Sequence, residues 1–274
     1  MFARIEWTQV RVIATKEFRD RIRNRWLLAV ALIFSLFALA IAYFGTAQQG
    51  EVGFRGIDVT IASLVSLVIY LVPLIALILG YDAIVGERER GSLELLQSMP
   101  ITRFEILLGK YLGLSAALAS STAIGFGAGL LPLAAELSTR DVYHYAGFVL
   151  SAILMGLAFL SISLVVSVVA QDRVRASGVA IALWFFFVLV FDLLLMGALV
   201  GSQGNLGSGV FAALLMLNPA DVFRLLNIFS SQQVQNMYGL ATVMPDSLTN
   251  PALLVTILLG WIVVPFCFAT WRFK

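Results

Sequence analysis

The sequence predicts an all-α, polytopic membrane protein. Six transmembrane helices are expected, with an amphipathic interfacial helix before them, a short cytoplasmic helix after the second and an outward helical pair before the last. Three observations carry this. The chain is 60% hydrophobic and only 12% charged, where a soluble domain is about 25% charged. Six apolar runs are each long enough to cross a hydrocarbon core at ~1.5 Å per residue. The bases gather in short segments that alternate with those runs, as the positive-inside rule requires.

Residues 3–23 form the amphipathic start. Ala3, Trp7, Val10, Ala14, Phe18 and Ile22 recur at three- and four-residue spacing. Arg4, Arg11, Lys16, Arg19 and Arg23 lie elsewhere around the helix. An apolar stripe with a basic remainder suits membrane lipid headgroups; a partner-binding helix shares the pattern. A cleavable leader is not expected, because the first apolar run begins only after about 25 residues and has no small-residue cleavage site behind it.

The spans are read as 26–44, 59–81, 105–133, 146–170, 176–200 and 252–271. Pro73 bends the second. The third has a small residue at every fourth position: Gly109, Gly113, Ala117, Ser121, Gly125 and Gly129. Such an edge lets another helix approach closely, within the chain or across a subunit seam. The fifth is bulky, with Trp184, Phe185, Phe186, Phe187 and Phe191.

Between the second and third spans lies a polar segment, 86–104. Ser92 is expected to cap a helix from Leu93 to Met99, with Glu94 in its first turn and Pro100 as its stop. Leu93 and Leu96 share one face, Leu95 and Met99 another. So short a helix does not hold alone in water, so it is expected to form against something. Thr102 to Glu105 reads as a capping box opening the third span. Gln171 to Arg175 is a tight polar turn. The 201–250 segment contains an apolar stretch too short to cross, Val210–Leu217, and a helix start at Asn218-Pro-Ala-Asp221. Residues 209–230 are therefore expected to be a re-entrant or surface helical pair.

With the N-terminus placed in the cytoplasm, fifteen bases fall inside and three (Arg55, Arg140, Arg224) outside. Both termini and the 86–104 segment are then cytoplasmic, in a bacterial inner membrane, and 201–250 faces outward as a periplasmic segment. The basic residues form no single face, so nucleic acid is not an expected partner.

Several chemistries are excluded. Gly86 to Ser92 approaches the spacing of a phosphate-binding loop but lacks its lysine, and Glu87 and Glu89 would repel a phosphate. The chain is expected to be non-catalytic and without a cofactor; ATP and Mg would belong to a partner ATPase. The lone cysteine, Cys267, forms no disulfide framework, and His144, the only histidine, forms no metal site. Met155, Met196 and Cys267 are spaced singly, as packing residues are, and not as a soft-metal ladder. Asp192 is the one carboxylate deep in a span, so it is a candidate for a pathway role or for a hydrogen bond between helices.

The polar segment also carries a resemblance. Gly86, Glu87, Gly91, Ser92, Leu93, Glu94, Leu95, Leu96, Ser98, Pro100, Ile101, Arg103, Leu108, Gly109 and Lys110 resemble the motif of ABC transporter permeases of the type-2 exporter class. Within that class, Arg23–Leu28, Tyr81–Glu87, Trp184–Asp192 and Leu217–Asn227 resemble the NosY-type permeases of nitrous-oxide reductase maturation systems. The resemblance implies a coupling helix seated in an ATPase groove. It places Glu87, Arg88, Glu89, Arg90, Gly91, Leu93, Glu94, Leu96 and Arg103 at that contact, and the turn with Asp172, Arg173 and Arg175 at a second. It implies a second copy of the chain, a NosF-like ABC ATPase and a NosD-like periplasmic β-helical protein, and a part in copper-site maturation. Asn218, Asp221, Arg224 and Asn227 are the expected contacts to that periplasmic partner. The competing reading is an ATP-independent, proton-coupled carrier using Asp192, with His144 as a second candidate. It calls for several intramembrane charges and often for repeated halves; the sequence has one such charge and no repeat.

Overall fold

The computed structural model describes residues 5–44, 57–131, 137–203, 207–228 and 250–273. The start of the interfacial stretch, the last residues of the third expected span and the polar tract with Gln232, Gln233, Gln235 and Asn236 lie outside the described residues. Among the described residues the chain is helical, without strands. In order the helices are α1 (Trp7–Arg23), α2 (Trp26–Phe44), α3 (Ile57–Gly80), α4 (Val85–Glu89), α5 (Ser92–Gln97) and α6 (Arg103–Leu130). They continue as α7 (Thr139–Val169), α8 (Arg173–Phe185), α9 (Phe191–Gly201), α10 (Ser208–Leu215), α11 (Pro219–Ile228) and α12 (Pro251–Arg272). A π-helical turn, Phe186–Val190, joins α8 to α9. Among the described residues, six helical stretches are long and apolar enough to cross a membrane, while α10 and α11 bend by 112° at their junction.

The third-span capping box is present: Thr102 Oγ1 accepts from Glu105 N at 3.2 Å and Glu105 Oε2 accepts from Thr102 N at 2.7 Å. The other oxygen of Glu105 accepts from Glu6 N at 2.6 Å, so one buried carboxylate fixes the starts of both α6 and α1. A second capping box, Ser138 with Asp141, opens α7.

The small-residue edge of α6 packs within the chain. An added Cβ would lie 2.7 Å from Ile13 Cβ at Gly109, 2.5 Å from Ala14 O at Gly113, 2.7 Å from Ala31 O at Gly125 and 2.6 Å from Ala38 Cβ at Gly129. The edge therefore seats α1 along its first half and α2 along its second. Without an aqueous hydrophobic drive, this close backbone approach is what holds membrane helices together. It also changes the reading of α1: Val10, Ile13 and Glu17 turn inward, while Trp7 and Ile22 of the expected stripe are exposed. Arg25, at φ 55°, takes the left-handed conformation at the turn from α1 into α2.

The most buried of the candidate spans is α7, which packs between α3 and α12. Phe34 stacks on Phe126 at 4.9 Å, Phe126 meets Phe148 at 5.5 Å and Phe148 meets Phe223 at 6.1 Å, an aromatic series from α2 through α6 and α7 to α11. The serines of α7 are bonded across helices. Ser163 Oγ donates to Leu77 O at 2.7 Å, and Ser167 Oγ accepts from Ile84 N at 2.8 Å and Val85 N at 3.1 Å. Ser167 thus supplies α4 with the cap its own sequence lacks.

One expected detail of the polar segment is corrected. Ser92 is not the cap; Gly91, at φ 72°, occupies that position, and Ser92 Oγ donates back to Glu87 O at 3.3 Å. The left-handed turn between α4 and α5 is open to glycine at little cost.

Candidate functional site

Among the described residues, side-chain chemistry is concentrated in two polar clusters in separate parts of the bundle. The first surrounds α4 and α5. Arg88 donates to two carbonyls at the end of α7, Ala170 O at 2.9 Å and Val168 O at 3.2 Å. Glu89 Oε1 accepts from Arg173 N at 2.7 Å, and the Arg173 guanidinium donates to Asp82 Oδ2 at 2.7 Å. Arg90 approaches the same carboxylate at 3.4 Å. Gly86 leaves the room this carboxylate needs, since a Cβ there would fall 2.1 Å from Asp82 Oδ1. The 86–104 segment and the 171–175 turn are therefore one polar assembly. Asp172 caps α8 by accepting from Arg175 N at 2.7 Å, and Arg175 bonds Gln171.

Beneath this assembly lies an ion cluster. Lys110 Nζ is 2.7 Å from Glu87 Oε1 on α4 and 2.8 Å from Glu17 Oε1 on α1. Lys16 adds contacts of 3.5 Å to Glu17 and 3.7 Å to Glu87. Burial opposes ionisation of Glu17, but the Lys110 ammonium and its hydrogen bond, then Lys16 and Arg21, outweigh it and hold the carboxyl below its ordinary value. Lys16 is also opposed by burial, yet Glu17, Glu87 and Asp20 raise it above its ordinary value. A polar cavity of 280 Å³ flanked by Lys16, Asp82, Glu87 and Arg90 opens beside the cluster.

The outer faces of α4 and α5 differ from the expected contact set. Leu93 is buried, at 5%, in the chain's own core, and Leu96 is half-buried. Leu95 (68%) and Met99 (53%) are exposed, together with Glu94 and Arg103. An apolar face free of the chain's own packing is the second pair, because the core claims Leu93 first.

The second cluster joins α9 to α11. Arg224 donates to Asp192 Oδ2 at 2.9 Å and lies 2.7 Å from Asp221 Oδ1. Asn218 Nδ2 donates to Asp221 Oδ2 at 2.8 Å and to Phe187 O at 2.8 Å. The latter carbonyl belongs to the π-helical turn, where the wider winding leaves a carbonyl for an outside donor. Asn218 Oδ1 meanwhile caps α11 through Ala220 N at 3.0 Å. Asn227 Nδ2 donates to Ser151 Oγ at 3.0 Å and Phe223 O at 2.9 Å. Asn218, Asp221 and Asn227 are buried. Their side chains are engaged within the chain and not presented to a partner, because each satisfies a backbone or ionic group that α11 covers. Asp192 is no isolated carboxylate; it is paired with Arg224, which Asp221 shares.

His144 lies near the start of α7 beside Tyr143, at 6.5 Å between rings. Met155 is in the core, and Met196 and Cys267 are exposed. Among the described residues no three His, Cys, Asp or Glu side chains gather as a metal site.

The pairing of Lys110 with Glu17 and that of Asp82 with Arg173 were not visible in the sequence. The available signal was Lys110 itself, a charge within the apolar pattern of the third span.

Residues 11–274 match the family described as ABC-2 family transporter protein. The chain belongs to that family. It is 45% identical over 249 residues to a probable ABC transporter permease protein NosY of Pseudomonas aeruginosa, covering 89% of each chain. It is 42% identical over 265 residues to a probable NosY permease of Stutzerimonas stutzeri, covering 95% of this chain and 96% of that one. This permease is thus a multi-pass membrane protein and an ABC transporter permease subunit. The polar assembly around α4 and α5 belongs to a permease, a class of subunit that works with an ATPase.

Proposed function

We propose that this permease couples ATP hydrolysis on a separate ATPase to export, or to motion of a periplasmic partner, in copper-site maturation of nitrous-oxide reductase. The observation that carries the reading is the polar assembly of α4, α5 and the 171–175 turn, with Leu95 and Met99 exposed on it. The likeness to NosY permeases supplies the biological setting. A NosF-like ABC ATPase, carrying ATP and Mg, seats α5 and reads the turn as a second contact. Two copies of the chain pair in the bacterial inner membrane with both termini cytoplasmic, and a NosD-like β-helical protein meets the opposite face. A proton-coupled carrier built on Asp192 has less support, since that carboxylate is ion-paired.

The test is co-purification with the ATPase from membranes. Leu95→Asp together with Met99→Asp is expected to abolish retention of the ATPase while the permease stays folded. Undiminished retention refutes the contact. Vesicles charged with labelled copper or a labelled sulfur compound then separate export from purely mechanical transmission.

A further inference from the structure

Lys110 sits seven residues into α6 and is only 2% exposed. A buried ammonium is costly, so it persists only with close counter-charges. It has two, and they come from two other elements: Glu87 of α4 at 2.7 Å and Glu17 of α1 at 2.8 Å. The flanking glycines matter here. Gly109 and Gly113 bring the α1 backbone against α6, with Ala14 O 2.5 Å from where a Gly113 Cβ would stand. That approach is what lets the Glu17 carboxylate reach an ammonium on α6. The packing of α4 itself is chiefly on α5 and α8. The Lys110–Glu87 pair is therefore the buried polar link by which α4 reaches α6 and, through Glu17, α1; the more exposed Lys16 adds a longer contact of 3.7 Å from α1 to Glu87.

We propose that Lys110 is the positioning residue that ties the ATPase-facing segment to α1 and α6, so that displacement of α4 moves the N-terminal helix with it. This rests on the ATP-coupled function proposed above. Arg88 and Glu89 link the same segment to α7 and α8, so removal of Lys110 cuts the buried link of one branch, where only the exposed, weaker Lys16 contact is left, and leaves the other branch intact. The expected defect is uncoupling of α1, not loss of the complex.

The experiment uses the full chain with its ATPase in lipid nanodiscs. In a Cys267→Ser background, Thr15→Cys on the exposed face of α1 carries a fluorescent label, and MgATP is added. Three quantities are read: ATPase retained, ATP hydrolysed and the label's response. Lys110→Met and, independently, the milder Glu17→Gln, which removes the counter-charge on α1, are expected to retain and run the ATPase. The label's response falls about tenfold, the size of a typical coupling lost. Lys110→Arg, which keeps the cation, restores most of it. A response in both Lys110→Met and Glu17→Gln equal to that of the unaltered chain overturns the proposal. So does loss of response only in step with loss of the ATPase, which marks Lys110 as merely structural. If the unaltered chain retains no ATPase, the proposed function itself fails, and this inference with it.

Discussion

Arg224 on α11 holds Asp192 on α9 at 2.9 Å and Asp221 at 2.7 Å, one guanidinium between two carboxylates. The pair with Asp192 is half-exposed, whereas Asp221 is fully buried. The two acids are therefore unequal. Asp192→Asn is expected to cost about 1 kcal/mol, in the range of an exposed pair. Arg224→Met is expected to cost about 3 kcal/mol, because it strands a buried carboxylate beside another. Thermal unfolding in detergent micelles ranks the two; the reverse order would mean that Asp221 is not held by Arg224.

Asn218 serves a helix start and a π-turn carbonyl at once. Asn218→Ala leaves Phe187 O and the first turn of α11 without their partners, for a loss of about 2 kcal/mol. Asn218→Asp keeps the cap but turns an acceptor toward both Phe187 O and the buried Asp221 carboxylate. Its midpoint is expected to fall below that of the alanine variant; an intermediate midpoint would mean that Asn218 does not donate to Asp221.

Two glycines on α6 make a matched pair. A Cβ at Gly113 would stand 2.7 Å from Glu17 Cβ, whereas at Gly127 nothing lies within 4 Å. Gly113→Ala is expected to cost about 2 kcal/mol by forcing α1 away. Gly127→Ala is expected to be neutral or stabilising by up to about 1 kcal/mol, from helix propensity. Equal unfolding midpoints for the two variants would refute the close approach of α1.

The contact between α1 and α6 should depend on pH in a definite direction. Glu17 is held below its ordinary value of 4.5, so its contribution is fully present above pH 4.5. It is lost as pH falls through the depressed value. Lys16 is raised above 10.5, so its contribution is present below pH 10.5 and fades as pH rises through the higher value. The facing groups are Lys16, Asp20 and Arg21 on α1, Glu87 on α4 and Lys110 on α6. Trp7 fluorescence, in a variant with the other tryptophans replaced by phenylalanine, should report α1 docking as flat across neutral pH. A transition near pH 6 to 7 would contradict the assignment.

Much of this architecture was legible in the residues alone. Length and apolarity determined six spans, because a hydrocarbon core admits only helices that satisfy their own backbone. The Thr102 capping box and the Asn218 helix start were equally legible, since a cap is decided within one turn of chain. The glycine edge of α6 declared that a helix would approach, but not which helix. Only the packing assigned α1 and α2 to it, and only then did Glu17 come within reach of Lys110, 93 positions away, and Arg224 within reach of Asp192, 32 positions away. The same packing drew Leu93 inward and left Leu95 and Met99 outside, reversing the face expected to meet a partner. Local periodicity and capping are encoded in neighbouring residues. Ion pairs and exposed faces depend on where separate helices come to rest, and that is decided by close packing across the whole bundle.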